Sequence, residues 1–519
     1  MPRSLQLLAA VAVGFASPLA AADPKSVCIR GATVYDGTGK PGFVADVVLR
    51  DGWIEAVGKA DPGPDALIID GAGLVVCPGF IDLHTHCDSG LQSSAGKENK
   101  NYVTQGCTTV VTGNCGSGPV DVAAYFAKLE KGGIGTNVIH LATHNNIRER
   151  VMGNANRRPT ADEQAKMEEL VDKAMADGAW GLSTGLIYNP GTYAKTEEII
   201  GLAKAAGKHG GLYASHIRDE GGGLLTSIEE AIRIGAEGGC PVHVSHIKAS
   251  GKSAWGTSAR AVAVIAAARA KGQTVTADQY PYTASSTSLK ATVVPTRYRE
   301  GTSKEYVARL DDPKLRADLT RALASRDGGS AVRIARYSKN PKWQGKSVAD
   351  IAKAEGKEPV DIVLEIEKNG GAQVVNFGMS EEDVRVFMKQ PWVATASDGG
   401  VQTPGDTVPH PRSYGTFPRK VGRYAIEDGV IPLEQAVRSG TGLPADILKL
   451  ADRGYLKPGM RADVVVFDPK AYRDTATYDK PHQYAAGVKW VFVNGRAVVA
   501  DGKHQPDVLA GQVLRHSGR

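Results

Sequence analysis

Two histidines, two residues apart, close an apolar run: "GLVVCPGFIDLHTH" ends in His84 and His86. Residues i and i+2 of a strand project to the same face. Two imidazoles aimed together suit a metal ion; two hydrogen-bonded histidines at a strand end are the plainer reading. Four more residues of metal-binding or acid–base type stand in the same kind of place. Cys115 follows "CTTVVTGN", His216 ends "GLYAS", His246 ends "PVHVS" and Asp398 ends "PWVATAS". Singly, each has an ordinary explanation: a buried thiol, a core histidine, a capping carboxylate. Jointly they offer thiolate, imidazole and carboxylate donors, the ligand chemistry of zinc. Zinc lowers the pKa of a water it holds from about 15.7 to about 7, which serves hydrolysis at neutral pH.

Donors so far apart in the chain meet only if their strands end around one opening. The segments "TNVIHLATH", "GAWGLSTG", "GLYASH", "PVHVSH" and "QTVTADQYPY" read as strands, and helical patterns lie between them. In "TADEQAKMEELVDKAMADG", Thr160 and Glu163 make a capping box, and Met167, Leu170, Val171 and Ala174 share one face. "SIEEAIRIGAEGG" is read the same way, with Ser227 and Glu230 as its box. Such alternation predicts parallel strands, and over this length a (β/α)8 TIM-type barrel, whose strand C-termini ring one mouth. A doubly wound open sheet is the alternative, weakened by the lack of a Gly-rich phosphate loop. His246 follows His216 by about one strand–helix unit. His243 is predicted to face away from the mouth.

Four parts are expected along the chain. Residues 77–450 form the barrel, interrupted at about 285–390 by a charged, helix-prone insertion. Residues 25–76 and 451–519 are rich in short strands with Asp-Gly or Gly turns, such as "VCIRGATVYDGTGK" and "VKWVFVNGRAVVADGK". These two ends are expected to join as one small β-sandwich domain. Residues 1–22 read as a secretory signal: Arg3, then an apolar run from Leu5 to Phe15, then Ala20, Ala21 and Ala22. That run is too short to span a bilayer. The expectation is a periplasmic or secreted protein with no membrane partner once the signal is removed.

Composition sets the outer bounds. The chain has 519 residues, 42% hydrophobic and 23% charged, which is globular. A net charge of +6 with scattered Lys and Arg leaves no nucleic-acid footprint. Six cysteines in this length show no disulfide framework.

The motifs "PGFIDLHTHCD", "TGNCGSG", "GLSTGLIYNPGTYA", "YASHIRDE", "VSHIKASG", "DQYPYTASST", "SDGG" and "HPRSYGTFPR" resemble the D-aminoacylase (N-acyl-D-amino-acid deacylase) family of the amidohydrolase superfamily. They cover most of the mature chain. The resemblance implies a metal-bearing barrel with a small β domain from both chain ends. It implies that Cys115, His216 and His246 hold a tightly bound zinc, and that His84 and His86 either complete a second, weaker site with Cys115 or help line the pocket. It implies one or two zinc ions per chain, and Asp398 as general base and acid. Many superfamily members bridge two metals with a fourth-strand lysine; "GAWGLSTGLIYN" has none, so Cys115 takes that role.

The substrate implied is a small molecule, an N-acyl-D-amino acid or a dipeptide ending in a D-residue. Its carboxylate needs a partner. Candidates are Lys248, Tyr280, Tyr282, Ser286 and, best suited by its bidentate fork, Arg412. Lys290 is a weaker candidate, for a second carboxylate. His144 matches a position near the pocket, and Arg218 and Glu220 are expected to fix His216. The alternatives are a cyclic-amide hydrolase of the dihydroorotase or hydantoinase type and a non-catalytic barrel scaffold. The first is disfavoured by the missing lysine, the second by the full set of candidate ligands.

Overall fold

The structure, a computed structural model, describes residues 26–517. The expected signal segment lies outside these residues.

Both ends of the chain build one sheet. Strands Ser26–Val34, Phe43–Arg50, Trp53–Val57, Leu67–Asp70 and Val75–Pro78 come from the N-terminal side; Val464–Phe467, Val488–Val493, Arg496–Ala500 and Lys503–His504 come from the C-terminal side. They join where Val464–Phe467 pairs antiparallel with Val75–Pro78, with Val465 opposite Cys77. The small β domain is thus one continuous nine-stranded sheet. Runs such as "LVVC" and "VVVF" are apolar throughout because both faces are buried. Val76, Val464, Val466 and Phe492 pack with Val27, Ile29, Val47 and Leu49 inside the β domain. Their neighbours Val75, Cys77, Val465, Phe467, Val491 and Val493 turn the other way, into the main core.

Eight parallel strands form the barrel: β1 (Phe80–Asp82), β2 (Cys107–Thr112), β3 (Asn137–His140, resuming at Ala142–Thr143), β4 (Gly181–Gly185), β5 (Leu212–His216), β6 (Val242–Val244), β7 (Val275–Gln279) and β8 (Val393–Thr395). Closure between β8 and β1 falls just past the strands. Asp398 N–H donates to His84 O at 2.8 Å and His86 N–H to Gly399 O at 2.6 Å. Helices between the strands supply the outer apolar layer, with Met167, Val171, Ile199, Ile228, Ile265 and Phe387 in the same core. Thr160 and Glu163 do form the predicted capping box of helix Ala161–Ala176. Ser227 and Glu230 do not. Their helix begins earlier, at Leu224, because Ser227 accepts a hydrogen bond from Asp219 N–H and Glu230 is taken by Arg218 and Thr196.

The stretch between β7 and β8 is more than helices. Strands Ala284–Ser288, Val332–Arg336 and Gln373–Phe377 form an antiparallel sheet with the last in the middle. Leu289, Leu315, Leu319, Val332, Ile334, Val348, Ile362 and Ile366 give it its own core. The following helix, Glu381–Met388, belongs to the barrel, since Val384, Phe387 and Met388 pack in the main core. All six cysteines are free thiols. No described helix is long and apolar enough to cross a membrane.

Candidate active site

The six residues that close strands in the sequence meet at the C-terminal mouth of the barrel. Cys115 Sγ lies 3.3 Å from His84 Nε2, 3.5 Å from His216 Nδ1 and 3.5 Å from His246 Nε2. Donor atoms of His84, His86 and Cys115 all fall within 4.8 Å of one another. The same holds for Cys115, His216 and His246, and for His84, His246 and Asp398. Asp398 Oδ1 lies 3.1 Å from His86 Nε2 and 3.6 Å from His84 Nε2. Five of the six are buried; His86 keeps 39% of its side chain exposed.

Local backbone aims these groups. Cys115 (φ +53°), His246 (φ +37°) and Asp398 (φ +49°) all adopt the left-handed region, uncommon for side chains with a Cβ. Such conformations persist where surrounding contacts over-determine them, and they cluster at functional sites. Around Cys115 the turn "GNCGSG" is fastened from several sides. Asp88 accepts from Gly113 N–H at 2.8 Å, and Ser183 accepts from Gly116 N–H at 3.0 Å and donates to Gly113 O. Gly116 is required there: a Cβ would meet Asn145 Oδ1 at 2.2 Å.

Carboxylates one layer out hold the imidazoles. Asp82 accepts from His84 N–H at 3.1 Å and from Ser397 N–H at 3.0 Å, tying β1 to the loop after β8. Asp278, at the end of β7, accepts from His246 N–H at 2.7 Å and pairs with His243 Nε2 at 2.7 Å, and its Oδ2 is 3.6 Å from His84 Nδ1. The sequence reading passed over Asp278; an acidic residue two before "YPY" at a barrel strand end was the available signal. His243 is packed, as expected, but its work is to anchor Asp278. Glu220 lies nearer His246 Nδ1 (3.0 Å) than His216 Nε2 (3.8 Å). Arg218 fixes neither imidazole: it pairs with Glu230 and donates to Thr192 and Ala194 O, bracing the loop after β4.

Burial dominates the electrostatics. It lowers His84 to about 4, against the opposing pull of Asp278, and lowers His216 well below its usual range. Both therefore stay neutral, the form that ligates metals. Burial also pushes the Cys115 thiol well up, and Asp398 adds to this. For Asp398 and Asp278 burial works towards a higher pKa but is outweighed. Arg412 and the nearby histidines hold Asp398 well down; His84 and His243 do so for Asp278.

A cavity of about 500 Å³ opens over this floor, within the range of small-molecule sites. Cys115, Asp398, Arg412, Ser286 and Tyr188 line it. The predicted carboxylate partners divide here. Arg412 and Ser286 face the cavity. Lys248, Tyr280 and Tyr282 do not line it, and are 5%, 2% and 2% exposed. The Lys248 ammonium is held by Glu220 at 2.5 Å and lies 2.7 Å from His246 Nδ1. Tyr280 lies under the Arg412 guanidinium, 4.7 Å away, and Tyr282 under Arg419 at the same distance. Arg412 itself pairs with Asp398 Oδ2 at 2.8 Å and donates to Ser286 O. Lys290 sits over the Tyr306 ring at 4.5 Å, outside the cavity. His144, the first residue of helix His144–Met152, is buried against Glu198 and does not line the cavity.

Tyr188 and His410 are among the cavity residues to which the sequence assigned no role. The Tyr188 ring packs on His216 with centroids 5.0 Å apart, and its hydroxyl bonds Thr287 at 2.9 Å. His410 pairs with Ala284 O at 2.9 Å and accepts from Arg412 N–H at 3.0 Å, tying the inserted sheet to the Arg412 helix. Neither sits at the C-terminal end of a barrel strand.

Residues 67–499 match the amidohydrolase family. D-aminoacylase from Alcaligenes xylosoxydans xylosoxydans is 37% identical over 515 residues, 94% of this chain and 98% of that protein. The chain belongs to the amidohydrolase family. Among solved structures it resembles a D-aminoacylase with a binuclear metal centre, described as activated by one metal and attenuated by a second (37% identity, TM-score 0.81, 94% of this chain and 99% of that one). It also resembles N-acyl-D-glutamate deacylase from Bordetella bronchiseptica, complexed with zinc and a phosphonate mimic of the tetrahedral intermediate (35% identity, TM-score 0.80, 94% and 99%). The barrel with its small β domain is the architecture of these amidohydrolase relatives.

Proposed function

We propose that this amidohydrolase hydrolyses the amide bond of N-acyl-D-amino acids, releasing a carboxylate and a D-amino acid, with one or two zinc ions. The observation that carries the reading is a buried thiol ringed by three imidazole nitrogens, beside a carboxylate–guanidinium pair on a cavity floor. The donor set fits zinc on its chemistry. A buried thiol resists ionisation unless a cation sits beside it, and burial keeps the His84 and His216 imidazoles neutral. Cys115, His216 and His246 would hold one ion; His84 and His86 with Cys115 would hold another. When bound, zinc supplies an activated water and polarises the substrate carbonyl.

The chain's own groups move the proton and place the substrate. Asp398 takes the proton of the attacking water and hands it to the leaving nitrogen, which departs poorly as an anion. Arg412 keeps Asp398 ionised in the resting site. A substrate α-carboxylate that draws this guanidinium to itself weakens that pairing, so Asp398 becomes the stronger base as substrate binds. Tyr188 remains protonated, because burial raises it well above its usual range, and presents a donor for an oxygen gaining charge. A cyclic-amide hydrolase is the weaker reading: β4, "GLSTG", carries no lysine to bridge two metals.

Stereochemistry tests the reading. With the amide carbonyl at the metal ligands and the carboxylate at Arg412, the side chain at the α-carbon has one free direction. Inversion pulls the carboxylate from its partner, roughly 1.5–3 kcal/mol for a charge-assisted contact. The expected result on paired N-acetyl-D- and N-acetyl-L-amino acids is a D-preference above about tenfold in kcat/KM. Equal rates across several side chains would refute it.

Asp278 offers a separate check on the metal. It holds His246 through the backbone and faces His84, and outer partners of this kind are typically worth about 10–100-fold in metal affinity. Asp278→Asn is therefore expected to weaken zinc binding by that order in a chelator competition. Unchanged affinity would mean that Asp278 serves packing alone.

A further inference from the structure

The catalytic floor leaves one charge in the cavity unexplained. Arg336 lines the same cavity as Asp398 and Arg412, on the wall contributed by the inserted sheet. It ends strand Val332–Arg336, directly across from Gln373. Its side chain is exposed, and among the described residues it has no ion pair and no side-chain hydrogen bond. The two other cations nearby are already occupied. Arg412 is offset by Asp398 at 2.8 Å, the one acidic side chain lining the cavity. Lys290 lies on Tyr306 and feels Glu367.

The surroundings of Arg336 are those of a polar subsite. Gln373, Ser286, Thr287 and Thr407 line the cavity with it; the apolar lining is limited to Ala335, Val401 and Pro409, and the Tyr188 ring is packed on His216. Hydroxyls and an amide thus make up much of the lining that Arg336 shares. The wall is also fixed relative to the floor. Val408, on the loop that follows Asp398, donates its N–H to Ala335 O at 2.9 Å. Arg336 is thereby held in register with the catalytic carboxylate.

We propose that Arg336 is a specificity-determining residue that binds a second anionic group of the substrate, distinct from the α-carboxylate. The inference rests on the function argued above and narrows its substrate class to N-acyl-D-amino acids with two acidic groups. The second group can lie on the side chain or on the acyl chain; in both cases the chemistry is a carboxylate meeting a guanidinium fork.

The test compares each acid with its neutral amide on the zinc-loaded enzyme. N-acetyl-D-glutamate against N-acetyl-D-glutamine reads the side-chain source; N-succinyl-D-leucine against its succinamoyl counterpart reads the acyl source. The expected result is a preference of about three- to tenfold for the acid in one pair, carried mainly by KM, as suits a partly exposed charge pair. Arg336→Gln is expected to abolish that preference and leave the neutral member of the pair within about twofold. No acid preference in either pair, or a preference that survives Arg336→Gln, overturns the assignment. If none of the four compounds is hydrolysed, the proposed reaction fails, but the subsite can still be read by calorimetry with D-glutamate and D-glutamine. Tighter binding of the acid that is lost in Arg336→Gln upholds it; equal affinities overturn it.

Discussion

Asp398→Asn is expected to lower kcat by about 10²–10⁴-fold, the usual contribution of a positioned acid–base group. Asparagine keeps the size and one acceptor oxygen, but it cannot take a proton from water or return one to the leaving nitrogen. The loop should hold its place, because Asp398 N–H bonds His84 O and not a side chain. Zinc content should stay close to that of the parent if Cys115, His216 and His246 hold the tighter ion. Arg412 loses its anionic partner, so some loss of melting temperature is expected as well. Rate, zinc content and melting temperature measured together separate the chemical effect from a folding effect. A folded, zinc-bearing variant within a few-fold of the parent rate would show that another group moves the proton.

Cys115→Ser is expected to remove most bound zinc and, with it, most activity. Every imidazole of the cluster except that of His86 lies within 3.5 Å of this sulfur, which belongs to two of the three possible ligand sets. A thiolate is a soft ligand well matched to zinc; a serine hydroxyl in the same place stays neutral and binds weakly. The loss in affinity should exceed the roughly 10–100-fold typical of outer partners such as Asp278. Serine is close to cysteine in size, and the turn is held by Asp88, Ser183 and the glycines, so the fold should survive. Metal analysis after dialysis, alongside circular dichroism, gives the answer. Full zinc content and full rate in Cys115→Ser would remove the thiol from the site.

The sequence by itself determined where the candidate ligands would lie. Strand side chains repeat every two residues and barrel strands run parallel, so a polar residue at a strand's C-terminal end has one place to go. That rule placed His84, His86, Cys115, His216, His246 and Asp398 at one mouth without any distance being known. The short strands and Asp-Gly or Gly turns at both ends likewise pointed to one small β domain, and the pairing of Val464–Phe467 with Val75–Pro78 joins the two ends.

Only the tertiary structure decided which charged groups are free. Lys248, Arg412 and Lys290 look alike as cations in a motif, yet the fold gives the first to Glu220, the second to Asp398 and the third to a tyrosine ring. Asp278 and Asp82 matter through partners such as His243, His84 and Ser397, the last 315 residues away. Arg336 shows the same limit from the other side. Its strand, "VRIAR", lies in a stretch whose charge and helix-forming residues mask three short strands, since "ASSTS" and "QVVNF" become strands only by pairing with each other. Local pattern reports periodicity and propensity. Which donor meets which acceptor, and which charge is left over for a substrate, is set by contacts hundreds of residues apart, and those exist only once the barrel has closed.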